Sequence, residues 1–125
     1  MEKVSTDKAP RAGGHYTQAI AHGEFIFISG QLPIHAETGE KVLGSIEEQT
    51  LQVLKNVEAI AVAAGSGLNH IVKTTVYVSD MELWGRVNEV YAQFFGDHKP
   101  ARAVVPVKTL HYGFQVEIEA IAVKK

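Results

Sequence analysis

The chain has 125 residues, 46% hydrophobic and 21% charged, which suits one compact core and is too short for two. A formal net charge of −2 with scattered lysines and arginines gives no electrostatic footprint for nucleic acid, and a chain without cysteine has no disulfide framework, thiolate nucleophile or zinc-thiolate site. The stretch Met1 to Arg11 is polar and charged, with no signal-peptide core, and no later run reaches membrane-spanning length, so a cytoplasmic protein is expected.

The first predicted elements lie in residues 17–29, two β-leaning runs split by Gly23, which reads as a hairpin. Residues 35–44 have no periodicity and form a loop. A helix opens at Ser45 with a capping box to Glu48; Ile46, Val53, Val57, Ile60 and Ala64 form its buried stripe and Gly65 stops it. Residues 71–78 alternate as a half-buried strand with Val72, Thr74, Val76 and Val78 inward, and the polar Thr74 sits awkwardly in that set. A second capping box, Ser79 to Glu82, starts a helix carrying Leu83, Val87, Val90, Tyr91 and Phe94 on one side and ending at Gly96. Strands over 101–107 and 114–123 close the chain.

This order predicts an α+β fold over residues 1–125 as a single domain: one sheet with two helices on one face. The other sheet face has no helix to cover it. A domain this small is expected to bury such a face against copies of itself.

Glu117 and Glu119 stand two apart in an apolar strand and so share a face. If partly buried, two such carboxylates disfavour each other's charge and raise a pKa, one route to a proton-transferring group near neutrality. Alternation alone favours the plainer reading, an ion pair with Lys73 or Lys108. Arg102 follows Pro100-Ala101 where a loop enters a strand, and its planar fork suits a carboxylate, although spacing alone favours a solvated edge arginine. Six dispersed histidines show no metal-ligand spacing, so no metal is expected. Neither a nucleophile elbow nor a phosphate or dinucleotide glycine pattern occurs. Trp84, Tyr91, Phe94 and Phe95 read as core or interface packing.

Across nearly the whole chain the sequence resembles the Rid/YjgF reactive-intermediate deaminases. The likeness runs through Tyr16-Thr17-Gln18-Ala19, Ile28-Ser29-Gly30-Gln31-Leu32-Pro33, Val72 to Val78, Val87 to Tyr91, Pro100-Ala101-Arg102 and Val116 to Ala122. The resemblance implies a chorismate-mutase-like subunit in a homotrimer with a central β-barrel and clefts between subunits. It implies a 2-iminobutanoate/2-iminopropanoate deaminase that hydrolyses imines to 2-keto acids and ammonia without a cofactor. It assigns the substrate carboxylate to Arg102 and the hydrolytic water to Glu117, and places Tyr16, Ser29, Gly30 and Asn88 at or near the cleft. Main-chain groups around Gly30 and Ala103 would bind the substrate nitrogen or carboxylate.

Three departures from the family pattern bear on substrate range: His15, Ala103-Val104 and the turn Lys108 to Gly113. His111 and Tyr112 in that turn could line the cleft and favour a different imine, but loop packing is the expected role. Two other functions compete. A non-catalytic trimeric module binding a small carboxylate would need the same clamp. An endoribonuclease or translation inhibitor, a label some relatives carry, fits poorly with the acidic pI and the absence of a basic stripe.

Overall fold

The computed structural model covers residues 1–125. It opens with a strand that the pattern does not announce, β1 (Glu2–Val4), paired antiparallel to β2 (Ala19–His22) through Lys3 opposite Ile20. β1 has three residues and buries only Val4, so no alternation reveals it. The hairpin is formed by β2 and β3 (Phe25–Gln31), and Gly23 takes φ 61° at the reversal, a conformation that costs a side-chain-bearing residue more.

Helix α1 (Ile46–Ala63) is capped as predicted, the Ser45 hydroxyl accepting from the Glu48 N–H at 3.1 Å. Its stripe is buried at Ile46, Val53, Val57 and Ile60, with Ala64 partly buried against the core. β4 (Ile71–Val78) departs from simple alternation: its register on the last strand, β6 (Val116–Val123), slips between Ile71 and Lys73, and the extra residue, Val72, is 41% exposed rather than inward. Thr74 is inward as predicted and is satisfied there by a 2.7 Å hydrogen bond with the Tyr91 hydroxyl.

The second helix starts later than expected. Asp80, not Ser79, provides the cap, accepting from Glu82 N–H at 2.8 Å at the head of a 3₁₀ turn, and α2 runs Trp84–Phe95. Its buried face is Val87, Tyr91 and Phe95, so Phe95 takes the place expected of Phe94, which packs only at the core's edge. Gly96 ends it at φ 63°. β5 is Ala101–Pro106.

The sheet order is β1-β2-β3-β6-β4-β5, antiparallel except for β4 against β5, which α2 joins by a crossover. The two helices pack together and α1 lies over the central strands β6 and β3, giving the α+β fold predicted. Ile26, Ile28, Val76, Val78, Val116, Ile118, Ala120 and Ala122 face the helices and form the core. The opposite face is uncovered, and Phe25 and Phe27 are 50% and 46% exposed on it. No helix is long and apolar enough to cross a membrane.

Candidate active site

Strand parity decides where the charged groups point. On β6, Val116, Ile118 and Ala120 are buried toward the helices, so Glu117 and Glu119 project from the uncovered face. Arg102 is in register with Thr74, whose side chain meets α2, so Arg102 points to the helix face. Arg102 and Glu117 therefore stand on opposite faces of one sheet. A single chain does not bring them to one small ligand.

Around Glu117 is a cavity of about 490 Å³ whose lining includes Tyr16, Ser29, Gly30, His111, Glu117 and Glu119. A bulge shapes its floor: Ile28 pairs with Ala120 and Gln31 with Ile118, so Ser29 and Gly30 together oppose Glu119. The Ser29 hydroxyl donates to the Thr17 carbonyl at 2.7 Å, leaving its oxygen free to accept. A Cβ on Gly30 would collide with the Glu117 carboxylate, so the glycine is what lets that carboxylate lie against the main chain. The Tyr16 hydroxyl accepts from Gly13 N–H at 3.2 Å, folding the glycine pair over the mouth.

Glu117 is half-buried, and desolvation pushes its carboxyl above the usual carboxylate range; the His111 charge pulls the other way and the Glu119 charge adds to the rise. The expected ion pair with Lys73 or Lys108 is absent. Glu119 instead accepts a 2.5 Å hydrogen bond from the Tyr77 hydroxyl across the strand, and that bond raises the phenol's pKa. The protein's salt bridge lies elsewhere, joining Arg86 to Glu47 between the helices and lowering Glu47 to about 2. Register explains the miss: Lys73 lies opposite Ile121, whereas Tyr77 lies opposite Glu117 and so beside Glu119.

A second cavity, of about 390 Å³, holds Asn88, Tyr91 and Arg102. Arg102 is exposed but not loose. Its guanidinium carbon lies 4.5 Å from the Trp84 ring centroid and 4.7 Å from that of Tyr91, and it donates from Nη1 to Asn88 Oδ1 at 3.0 Å. Trp84 and Tyr91, read from the sequence as packing residues, thus hold the arginine. Their spacing with Asn88, at positions i, i+4 and i+7 of one helix, was the signal available in the sequence.

Ala103 is in register with Thr75 and so faces away from Arg102; it lines neither cavity. His111 and Tyr112, expected to serve loop packing, line the Glu117 cavity.

A mixed sheet under two helices, with a desolvated carboxyl on one face and a stacked arginine on the other, defines an α+β protein whose two charged cavities lie on opposite faces of the sheet. Residues 6–124 match the family described as Endoribonuclease L-PSP. The chain is 51% identical to a RutC family protein of Pyrococcus horikoshii, over 99% of this chain and 98% of that one. It is 46% identical to the 2-iminobutanoate/2-iminopropanoate deaminase of Mus musculus, over 97% of this chain and 90% of the relative. The structure of the YjgF gene product of E. coli superposes with a TM-score of 0.95 at 41% identity, covering all of both chains. E. coli TdcF with bound serine gives 0.95 at 40% identity, also over all of both chains. The chain belongs to the YjgF/RutC/RidA family.

Proposed function

We propose that the protein is a cofactor-free deaminase that hydrolyses 2-imino acids such as 2-iminobutanoate and 2-iminopropanoate to 2-keto acids and ammonia, in clefts between the subunits of a homotrimer. The observation that carries this reading is the division of the site: a carboxylate clamp on the helix face and a desolvated carboxyl on the open face, which only a second copy can bring together. Arg102, held flat by Trp84, Tyr91 and Asn88, offers its remaining N–H groups to the substrate carboxylate. Glu117 of the neighbouring subunit takes the proton of the attacking water, and desolvation strengthens its hold on that proton. The imine carbon is already electrophilic, so positioning supplies much of the acceleration.

Two relatives support the reading. One is named for this activity and one was solved with a small amino acid bound. The uncovered face with Phe25 and Phe27 supports the assembly, because three copies packed on it would close a barrel and bury both rings. The test is complementation. Arg102→Ala and Glu117→Gln chains, each inactive alone in releasing keto acid from freshly generated 2-iminobutanoate, are refolded together. Random mixing then rebuilds about a quarter of the clefts with both groups intact in a cyclic trimer. No recovery from mixed trimers would sink the intersubunit site, and an inactive wild type would sink the deaminase itself.

A further inference from the structure

The chemistry of the proposed reaction needs two proton carriers. Addition of water and loss of ammonia each place a proton on nitrogen while removing one from oxygen, so a donor must stand beside the acceptor Glu117. Among the polar residues of that cavity, most are unsuited. The Ser29 proton is committed to the Thr17 carbonyl and Glu119 is held by Tyr77. An arginine such as Arg11 does not give up its proton in proteins. A phenol such as Tyr16 or Tyr112 is a weaker acid than an imidazolium and gives up its proton less readily to the substrate nitrogen. His111 is the imidazole in that wall, and imidazole is the side chain that ordinarily exchanges protons between about pH 5 and 8.

The turn carrying it is built rather than loose. Tyr112 adopts φ 57°, ψ 18°, a left-handed conformation that strains a side-chain-bearing residue. Its ring is fixed on two sides, by Lys41 Nζ 4.6 Å from the centroid and by Phe114 edge-on at 5.8 Å. The buried Phe114 anchors the turn to the start of β6, and the Phe114 N–H donates to the His111 carbonyl at 2.9 Å. A strained residue braced in this way, directly after a histidine in the cavity wall, sets where that histidine stands. The charge of His111 is felt at the Glu117 carboxyl, as is that of Glu119.

We propose that His111 is a second catalytic residue, the acid that protonates the substrate nitrogen while Glu117 accepts protons from the oxygen. The inference rests on the deaminase reading. In the addition, the water oxygen bonds to C2 as the C=N π bond opens; Glu117 takes a water proton and His111 gives one to nitrogen. In the collapse, an oxygen lone pair forms the C=O bond and the C–N bond breaks with its electrons going to nitrogen. That nitrogen takes a second proton from His111 and leaves as NH₃, while Glu117 takes the hydroxyl proton. Solvent reprotonates His111 and deprotonates Glu117 between steps, so imine plus water gives keto acid plus ammonia.

The test uses the full-length assembled protein with His111→Gln and His111→Ala, both at an exposed position. Each is expected to lose roughly a hundredfold in kcat/KM toward 2-iminobutanoate, with assembly mass and circular dichroism unchanged. Added imidazole is expected to restore turnover to His111→Ala, in proportion to its protonated fraction, and not to His111→Gln, whose side chain fills the space. Wild-type turnover with either variant within about twofold of it overturns the inference alone, as does a loss that imidazole fails to rescue, which marks a packing role. Silence of the wild type on the imine removes the deaminase reading and the inference with it.

Discussion

Replacing Glu117 with glutamine separates proton acceptance from packing, because the amide keeps the shape that fits against Gly30 and cannot ionise. The structure predicts opposite effects on activity and stability. Loss of a positioned general base costs about 10²–10⁴ in rate, or roughly 3–5 kcal/mol of activation free energy. For stability, burial raises the Glu117 pKa above its unfolded value, so the folded chain holds that proton more tightly. Its contribution is therefore fully favourable below the ordinary carboxylate range and is lost as pH rises through the raised folded value. Wherever it is ionised, the desolvated carboxylate weakens the fold, and Glu117→Gln relieves this. Thermal unfolding should give the variant the higher Tm at neutral pH, with the gap closing as the wild type becomes protonated in acid. Keto-acid release measured over the same pH series should show a wild-type kcat/KM that rises with ionisation of this carboxyl, a limb missing in the variant. Near-normal turnover by Glu117→Gln would remove the carboxylate from the mechanism. A lower Tm at neutral pH would mean that the carboxylate has a favourable partner and that desolvation does not dominate.

Arg102→Lys keeps a charge but loses the stack on Trp84 and Tyr91 and the fork; removal of one charge-assisted contact, worth about 1.5–3 kcal/mol, should cost roughly ten- to a hundredfold in kcat/KM. Unchanged kinetics in a properly assembled variant would leave the arginine outside the site. Tyr91→Phe strands the buried Thr74 hydroxyl and should lower stability by about 1–3 kcal/mol, whereas Tyr91→Phe with Thr74→Val should recover most of it. Denaturant unfolding of the two singles and the double decides this, and additive losses would show that the pair does not interact. Gly30→Ala should abolish most activity by displacing the Glu117 carboxylate while leaving the secondary structure intact; turnover close to wild type would show that the carboxylate need not rest on the main chain.

Local rules revealed what local forces form. The Ser45 cap and the α1 stripe could be read because both depend on residues within two turns of each other. Ser79-x-x-Glu82 satisfies the pattern of a capping box, yet in the fold the Ser79 N–H is drawn to the Gln115 carbonyl across the sheet and Asp80 takes the helix entry. Alternation places Val72 inward because a bulge is invisible to it: one added residue reverses the parity of everything before it. At the site, Arg102 and Glu117 were named on family resemblance rather than spacing, and the residues that support them arise from long-range pairing. The Gly30 contact with Glu117 joins β3 to β6, and the Tyr77 bond to Glu119 joins β4 to β6. The Trp84, Asn88, Tyr91 row was within reach of helical spacing, but without the β5 register nothing showed that an arginine would lie across it.

Strand parity ties the proposed chemistry to assembly. Since Thr74 and Arg102 share a register and Glu117 has the opposite parity, no rotamer change within a chain moves both groups to one ligand; only docking the open face of one copy beside the β5 edge of another does so. The same docking covers Phe25 and Phe27, each about half exposed, and full burial of such side chains is worth roughly 1.5–3 kcal/mol apiece, so completing the cover yields about half of that per ring in every subunit. Association that is stable for hydrophobic reasons would thus also complete the catalytic pair. In an unassembled chain Glu117 is already half-buried, but Arg102 would clamp carboxylates that no base can reach. Dilution below the assembly threshold should accordingly abolish turnover in step with the loss of trimer mass, rather than after it.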